Sequence, residues 1–454
     1  MLKNNIKYFP YLIFTPIYLN FFNNILNKNF YSIINKVNYY DLFSVFTLFI
    51  FLYQYGKLIK ITLNLKTISI SIVYLLFSFF VFDTSLLFFY KSLSFNQVFL
   101  IVNLIWIAFF IFYKKEYAAT IFTVLLYAVN NFMFNSIYNK LTINKNIIGD
   151  VDAYFYSQAK TIFENSYYYS INNPITEGYP QFLSYIQALL FRYLNGNVTY
   201  EFYAPTSQII FLLSLLFFLE LEISFKNKLI ISSLFSILIF NSLWFQFLFT
   251  SSLMSEGIVS LFSAIIIYEI FTIKRITFNH LILLGLLYFT KQFFSIICLL
   301  LVIYIAINQK SKKFLVFGFS GLVLKELLFK NVFPGKSSSR HLSQIDILDL
   351  VGDIILFRDL KLNNILLILK NVFVDKPLTV ILFGLIVIYF YKVFSKYHIK
   401  KSTNIFYSII SINIVFIFTL YVSAWQNMEL ESPVRYILSF LHLKLVSIAT
   451  IVEN

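Results

Sequence analysis

Asp150 and Asp152 stand two positions apart at the head of a polar, aromatic-rich stretch that runs from Gly149 to Gln187. In an extended chain that spacing puts both carboxylates on one face, whereas in a helix they diverge. One such carboxylate can act as a general base, or accept the hydrogen bond that orients a hydroxyl or amide nucleophile. A pair can also help bind a divalent cation, Mg or Mn, although two carboxylates alone make a weak metal signature. The bland alternative is that Asp150 or Asp152 caps a helix beginning near Ala153 and has no part in chemistry.

Further candidates follow along the chain. Glu177-Gly178-Tyr179-Pro180 precedes the moderately apolar segment from Gln181 to Tyr193. Pro180 holds Tyr179 extended and suits a first helical turn, so the segment is expected to lie in the interface or re-enter the bundle. Its tyrosines serve as interfacial anchors or stack on a sugar or isoprenoid. Glu256 opens an apolar run and must face the bundle interior or its boundary, because a charge in lipid costs a few kcal/mol. Lys291 interrupts another apolar block and needs a carboxylate (Glu256 is one choice), helix carbonyls or an anionic ligand. Lys336, Arg340 and His341 cluster in a polar loop that has the cations to hold a lipid phosphate or pyrophosphate, or is simply solvated. Its glycine does not match a Walker pattern. Arg435, followed by Tyr436, sits beneath Glu429 and Glu431, where it pairs with a glutamate or offers its guanidinium fork to an oxyanion.

These groups are carried by a chain that is 59% hydrophobic, 20% aromatic and only 13% charged. Soluble domains carry about 25% charge, and apolar blocks of roughly 20 residues cross a bilayer as single helices. The fold class is therefore all-α, a polytopic membrane bundle. Spans are expected at about 8–23, 42–59, 68–89, 97–113 and 117–138, then 205–221, 229–248, 252–272, 314–330, 378–394, 405–424 and 434–450. The block 281–307 is predicted to be a helix pair broken near Lys291.

The net charge of +15 falls in short loops between apolar blocks, a pattern of membrane orientation and not of nucleic-acid binding. One alternating topology puts Lys57, Lys60 and Lys66 on the cytoplasmic side with Lys114, Lys115, Lys226 and Lys228. Lys274, Arg275, the 310–313 cluster and Lys392–Lys401 join them, provided that 281–307 returns to its side of entry. Both termini are then cytoplasmic, and loops 139–204, 331–377 and 425–433 share the outer side. Cys298 is the only cysteine, which excludes an intrachain disulfide. The first apolar stretch, broken by Pro10 and Pro16 with no small-residue cleavage site after it, is not expected to be a cleaved signal. Compact loops point to a prokaryotic cytoplasmic membrane.

Four marks, GDVDAYFYSQA after a span, SSLMSEG opening another, GLLYFTKQ in the broken block and SPVRY before the last span, resemble the GT-C superfamily of integral-membrane glycosyltransferases. Their order covers about residues 117–445, leaving 1–116 as extra N-terminal helices and 117–454 as the GT-C-like module. The resemblance implies an outward-facing site that moves a sugar from a polyprenyl-phosphate donor to a lipid, glycan or protein. It places the acceptor near Asp150 or Asp152 and the donor phosphate near Lys291, Arg340 or Arg435. No cofactor is certain, a divalent cation being open. Membrane lipids and other envelope-glycan enzymes are the expected partners. The rival readings are a polysaccharide polymerase or ligase and a lipid-linked glycan transporter.

Overall fold

The computed structural model describes residues 39–88, 93–138, 157–171, 182–193, 203–241, 255–272 and 441–453, with isolated residues at 282–283, 303, 306 and 315–316. The regular structure among them is helical: α1 (Tyr39–Leu63), α2 (Ile68–Phe88), α3 (Phe95–Ala108) with a π-helical end (Phe109–Tyr113), α4 (Tyr117–Tyr138), α5 (Ser157–Glu164) and α6 (Tyr167–Ile171). Then come α7 (Phe182–Tyr193), α8 (Tyr203–Glu220), α9 (Phe225–Asn241), α10 (Ser255–Thr272) and α11 (Leu441–Glu453). Three stretches among the described residues are long and apolar enough to cross a membrane, Val45–Leu63, Ile68–Leu87 and Phe95–Tyr113. In hydrocarbon every backbone group must bond within the chain, and a helix does this residue by residue.

The helix ends account for their own orphan groups. At the start of α3, Ser94 Oγ accepts from the Gln97 N–H at 3.3 Å while Gln97 Oε1 accepts from the Ser94 N–H at 2.9 Å, a reciprocal capping box. At the end of α1, Asn64 takes a left-handed φ of 54°, and the Leu65 N–H donates back to Lys60 O at 3.1 Å. Asn tolerates that conformation better than most residues, which lets α2 begin within four residues. Gly56 makes the tight α1–α2 hairpin possible, since a Cβ there would meet Ile72 Cγ1 at 2.6 Å.

Several helix ends gather at one end of the bundle. There Glu220, the last residue of α8, accepts the first two N–H groups of α2, from Ile68 at 2.6 Å and Ser69 at 2.8 Å, and the Ser69 hydroxyl as well. Glu269, near the end of α10, accepts the Lys66 N–H at 2.7 Å and the Thr67 hydroxyl at 3.2 Å. Thr67 in turn accepts the Ile70 N–H at 3.3 Å. The orphan donors at the start of α2 are thus satisfied by the Glu220 carboxylate and the Thr67 hydroxyl, and Glu269 in turn holds Thr67. Lys66 reaches Glu222 at 2.9 Å, and Lys228 at the start of α9 donates to Leu219 O at 2.8 Å. Lys57, Lys60, Lys66 and Lys228, expected on a common side, belong to this basic end.

On the other flank, α11 packs against α9 and α10. His442 ties it in, with Nδ1 2.8 Å from Ser260 Oγ on α10 and Nε2 2.9 Å from Ser214 Oγ on α8. Its ring lies against Phe218 and Phe235, with centroids 5.6 Å and 4.9 Å away. Lipid removes the hydrophobic drive between helices, so close packing and such polar links, worth about 0.6 kcal/mol each on average, hold the bundle.

Candidate functional site

The described parts of the polar stretch after α4, residues 157–171 and 182–193, fold onto the bundle. Its helices α5, α6 and α7 pack around the end of α2 and the start of α3, the end opposite the lysines. The Phe95 N–H at the head of α3 donates to Asn165 O in the α5–α6 turn at 3.0 Å. Inside the layer the buried Gln158 accepts from the Ser184 hydroxyl at 2.6 Å, linking α5 to α7.

Helix α7 goes deeper. Phe182 through Phe191 and Tyr193 are all buried, and Arg192 is half-buried. Phe182 stacks on Phe77 of α2 with centroids 4.4 Å apart and touches Phe262 of α10. The segment expected to lie in the interface or re-enter the bundle therefore enters it. The reason is composition: α7 carries apolar or aromatic side chains round most of its circumference, and a helix apolar all round is buried.

An acidic group sits where α7 crosses α2. Tyr185 Oη is 3.1 Å from Asp83 Oδ2 and 3.2 Å from Phe79 O. Asp83 is only 3% exposed, and the rings of Phe80, Phe95 and Tyr167 each meet Tyr185 edge-on. Burial first, and then the neighbouring Asp83 carboxylate, push the Tyr167 and Tyr185 phenols above the ordinary tyrosine value. Tyr185 thus acts as a hydroxyl donor, to Asp83 and to Phe79 O.

A cleft of about 270 Å³ runs between α1, α3, α4 and α7. Phe51, Tyr55, Phe99, Phe110 and Tyr127 give it aromatic walls. Asn103 faces it with its carbonyl oxygen and one amide N–H engaged: Oδ1 accepts from Tyr55 at 3.1 Å and Tyr193 at 3.2 Å, and Nδ2 donates to Phe99 O at 2.8 Å. Arg192 also lines the cleft. Its guanidinium carbon lies 5.9 Å from the ring centroids of both Phe99 and Phe163, and its buried Nε has no hydrogen-bond partner among the described residues.

Of the residues singled out from sequence, Glu256 is the second residue of α10. The far end of that helix carries Glu269 at the basic end, so Glu256 stands toward the opposite end of α10. Asp150, Asp152, Glu177, Tyr179, Lys291, Lys336, Arg340, His341, Arg435 and Tyr436 lie outside the described residues, as does the expected helix break near Lys291. Two of the four marks are represented in part: Ser157-Gln158-Ala159 opens α5 and Ser255-Glu256-Gly257 opens α10. Among the described residues no group of three or more His, Cys, Asp or Glu side chains could hold a metal. The carboxylates considered for a cation, Asp150 and Asp152, are outside that set.

Sequence reasoning missed Asp83, Arg192, Glu220, Glu269 and His442. Each had the same signal, an ionisable residue inside an apolar run, which by default marks a buried partner or a function. No family model, curated protein or solved structure matches the chain. What the architecture establishes is a polytopic, all-α membrane protein with several membrane-length helices.

Proposed function

We propose that the chain is a membrane glycosyltransferase of the GT-C kind, moving a sugar from a polyprenyl-phosphate donor to a lipid, glycan or protein acceptor on the extracytoplasmic face of a prokaryotic cytoplasmic membrane. One observation carries this reading. The polar segment that follows Asp150 and Asp152 is built into the bundle as α5 to α7, at the end away from the lysines. Polar chemistry set among spans at one bundle end suits a substrate whose reactive head cannot leave the bilayer.

The physical logic is direct. Departure of the lipid phosphate develops negative charge, which preorganised cations stabilise; Lys291, Arg340 and Arg435, with Lys336 and His341 near them in sequence, take that role. Asp150 or Asp152 accepts the acceptor's proton as the new bond forms. Glu177, Tyr179, Glu256 and Tyr436 complete the walls that hold the sugar. The phospholipid bond is already activated, so no nucleotide is needed. Both termini and the basic loops face the cytoplasm in this arrangement.

The test supplies defined prenyl-phosphate sugars to reconstituted protein and seeks transferred glycan by mass. Transfer that depends on the protein supports the reading. Intact donors across a panel of hexosyl and pentosyl lipids, with folded protein present, would sink it.

A further inference from the structure

We propose that the cleft between α1, α3, α4 and α7 is a seat for one anionic membrane lipid, its chain lying along the aromatic walls and its phosphate or carboxylate head meeting Arg192. The proposal concerns binding alone and does not rest on glycosyl transfer.

Three observations converge on it. The first is charge: the Arg192 guanidinium is held at the cleft by Phe99 and Phe163. The buried Nε finds no hydrogen-bond partner among the described residues, and neither Asp nor Glu is among the cleft's lining residues. A half-buried guanidinium in an apolar setting is costly unless an anion completes it, and its planar fork fits a phosphate or carboxylate with two parallel N–H···O bonds.

The second is chemistry of the walls. Thr120 and Thr123 spend their hydroxyls on their own helix, bonding Glu116 O and Ala119 O at 2.7 Å and 2.8 Å. Asn103 turns its carbonyl oxygen to Tyr55 and Tyr193 and one amide N–H to Phe99 O. Beyond these, the lining offers the Asn96 amide and the Tyr127 hydroxyl, and the rest of it is hydrocarbon and ring faces. A polar sugar or nucleotide finds few hydrogen bonds there, while an acyl or isoprenyl chain needs none.

The third is the rim. Leu100, Leu104 and Val124 line the cleft and are 60%, 54% and 44% exposed, so it opens sideways through residues that face lipid. At about 270 Å³ the cleft is too small to enclose a whole lipid. The chain is held over part of its length and continues into the bilayer.

Equilibrium binding of radiolabelled dodecyl phosphate to the purified full-length protein in a neutral maltoside detergent tests this. Saturable binding of one molecule per chain is expected. Arg192→Gln should weaken it at least tenfold, and Leu104→Trp, which plugs the mouth from an exposed position, should do the same. Excess dodecanol or inorganic phosphate should not compete. Wild-type affinity in both variants overturns the proposal, and if Arg192→Gln fails to fold, Leu104→Trp decides alone. Equal competition by inorganic phosphate would make this a free-anion site, and equal competition by dodecanol an apolar cleft without charge selection; either result also overturns it.

Discussion

Glu220 and Ile68 are 152 residues apart in sequence, yet the Glu220 carboxylate accepts the Ile68 N–H at 2.6 Å. The last residue of α8 thereby serves as the cap of α2. A buried donor left without a partner costs about 1–3 kcal/mol, so this contact fixes where α8 ends relative to the α1–α2 hairpin. Glu220→Ala should destabilise the protein by about 2 kcal/mol through those freed N–H groups. Thermal unfolding in detergent checks it against Glu222→Ala, whose exposed ion pair with Lys66 is worth at most about 1 kcal/mol. Equal losses in the two variants would contradict the assignment.

The Tyr185–Asp83 contact joins α7 to α2. Tyr185→Phe and Asp83→Asn, measured singly and together, should show a coupling of about 0.5–1.5 kcal/mol. Strictly additive effects would mean that ring packing around Tyr185 holds α7, with the hydroxyl contributing nothing.

Gly56 packs so closely on Ile72 that any side chain must displace it. Gly56→Leu should lower stability by about 1–3 kcal/mol, because overpacking a tight helix contact forces shifts in both helices. The comparison is Ile61→Ala, at a position of the same helix that is 45% exposed, which should leave the melting temperature nearly unchanged.

Sidedness has its own test. With Cys298 replaced by serine, a cysteine at Tyr169, 60% exposed on α6, should react with an impermeant reagent in intact cells. A cysteine at Lys226, exposed at the basic end, should react only after permeabilisation. Labelling of both from outside would contradict the proposed orientation.

Much of the bundle was legible in the sequence because bilayer thickness and apolar block length constrain each other. The expected span 68–89 is α2 within a residue, and 117–138 is α4. The expected 97–113 begins two residues early, because Ser94 and Gln97 form a capping box that an apolar count does not see. The basic-end geometry follows from lysine placement, which a sequence displays openly. The fate of residues 182–193 did not follow, since an apolar 12-residue helix suits an interface and a re-entrant position alike. Long-range partners decided it: Phe77, Asp83 and Phe262 come from two helices far away in sequence. The same holds for Glu220, Glu269 and His442, whose apolar flanks announce burial without naming what they meet.

The proposed glycosyl transfer depends on Asp150 or Asp152 taking the acceptor's proton. The most direct measurement is transfer from a prenyl-phosphate sugar in vesicles carrying the Asp150→Asn, Asp152→Asn double variant. The account predicts a rate at least about a hundredfold below wild type, the usual contribution of a general base, with an unchanged melting temperature. Wild-type transfer by that variant would contradict it.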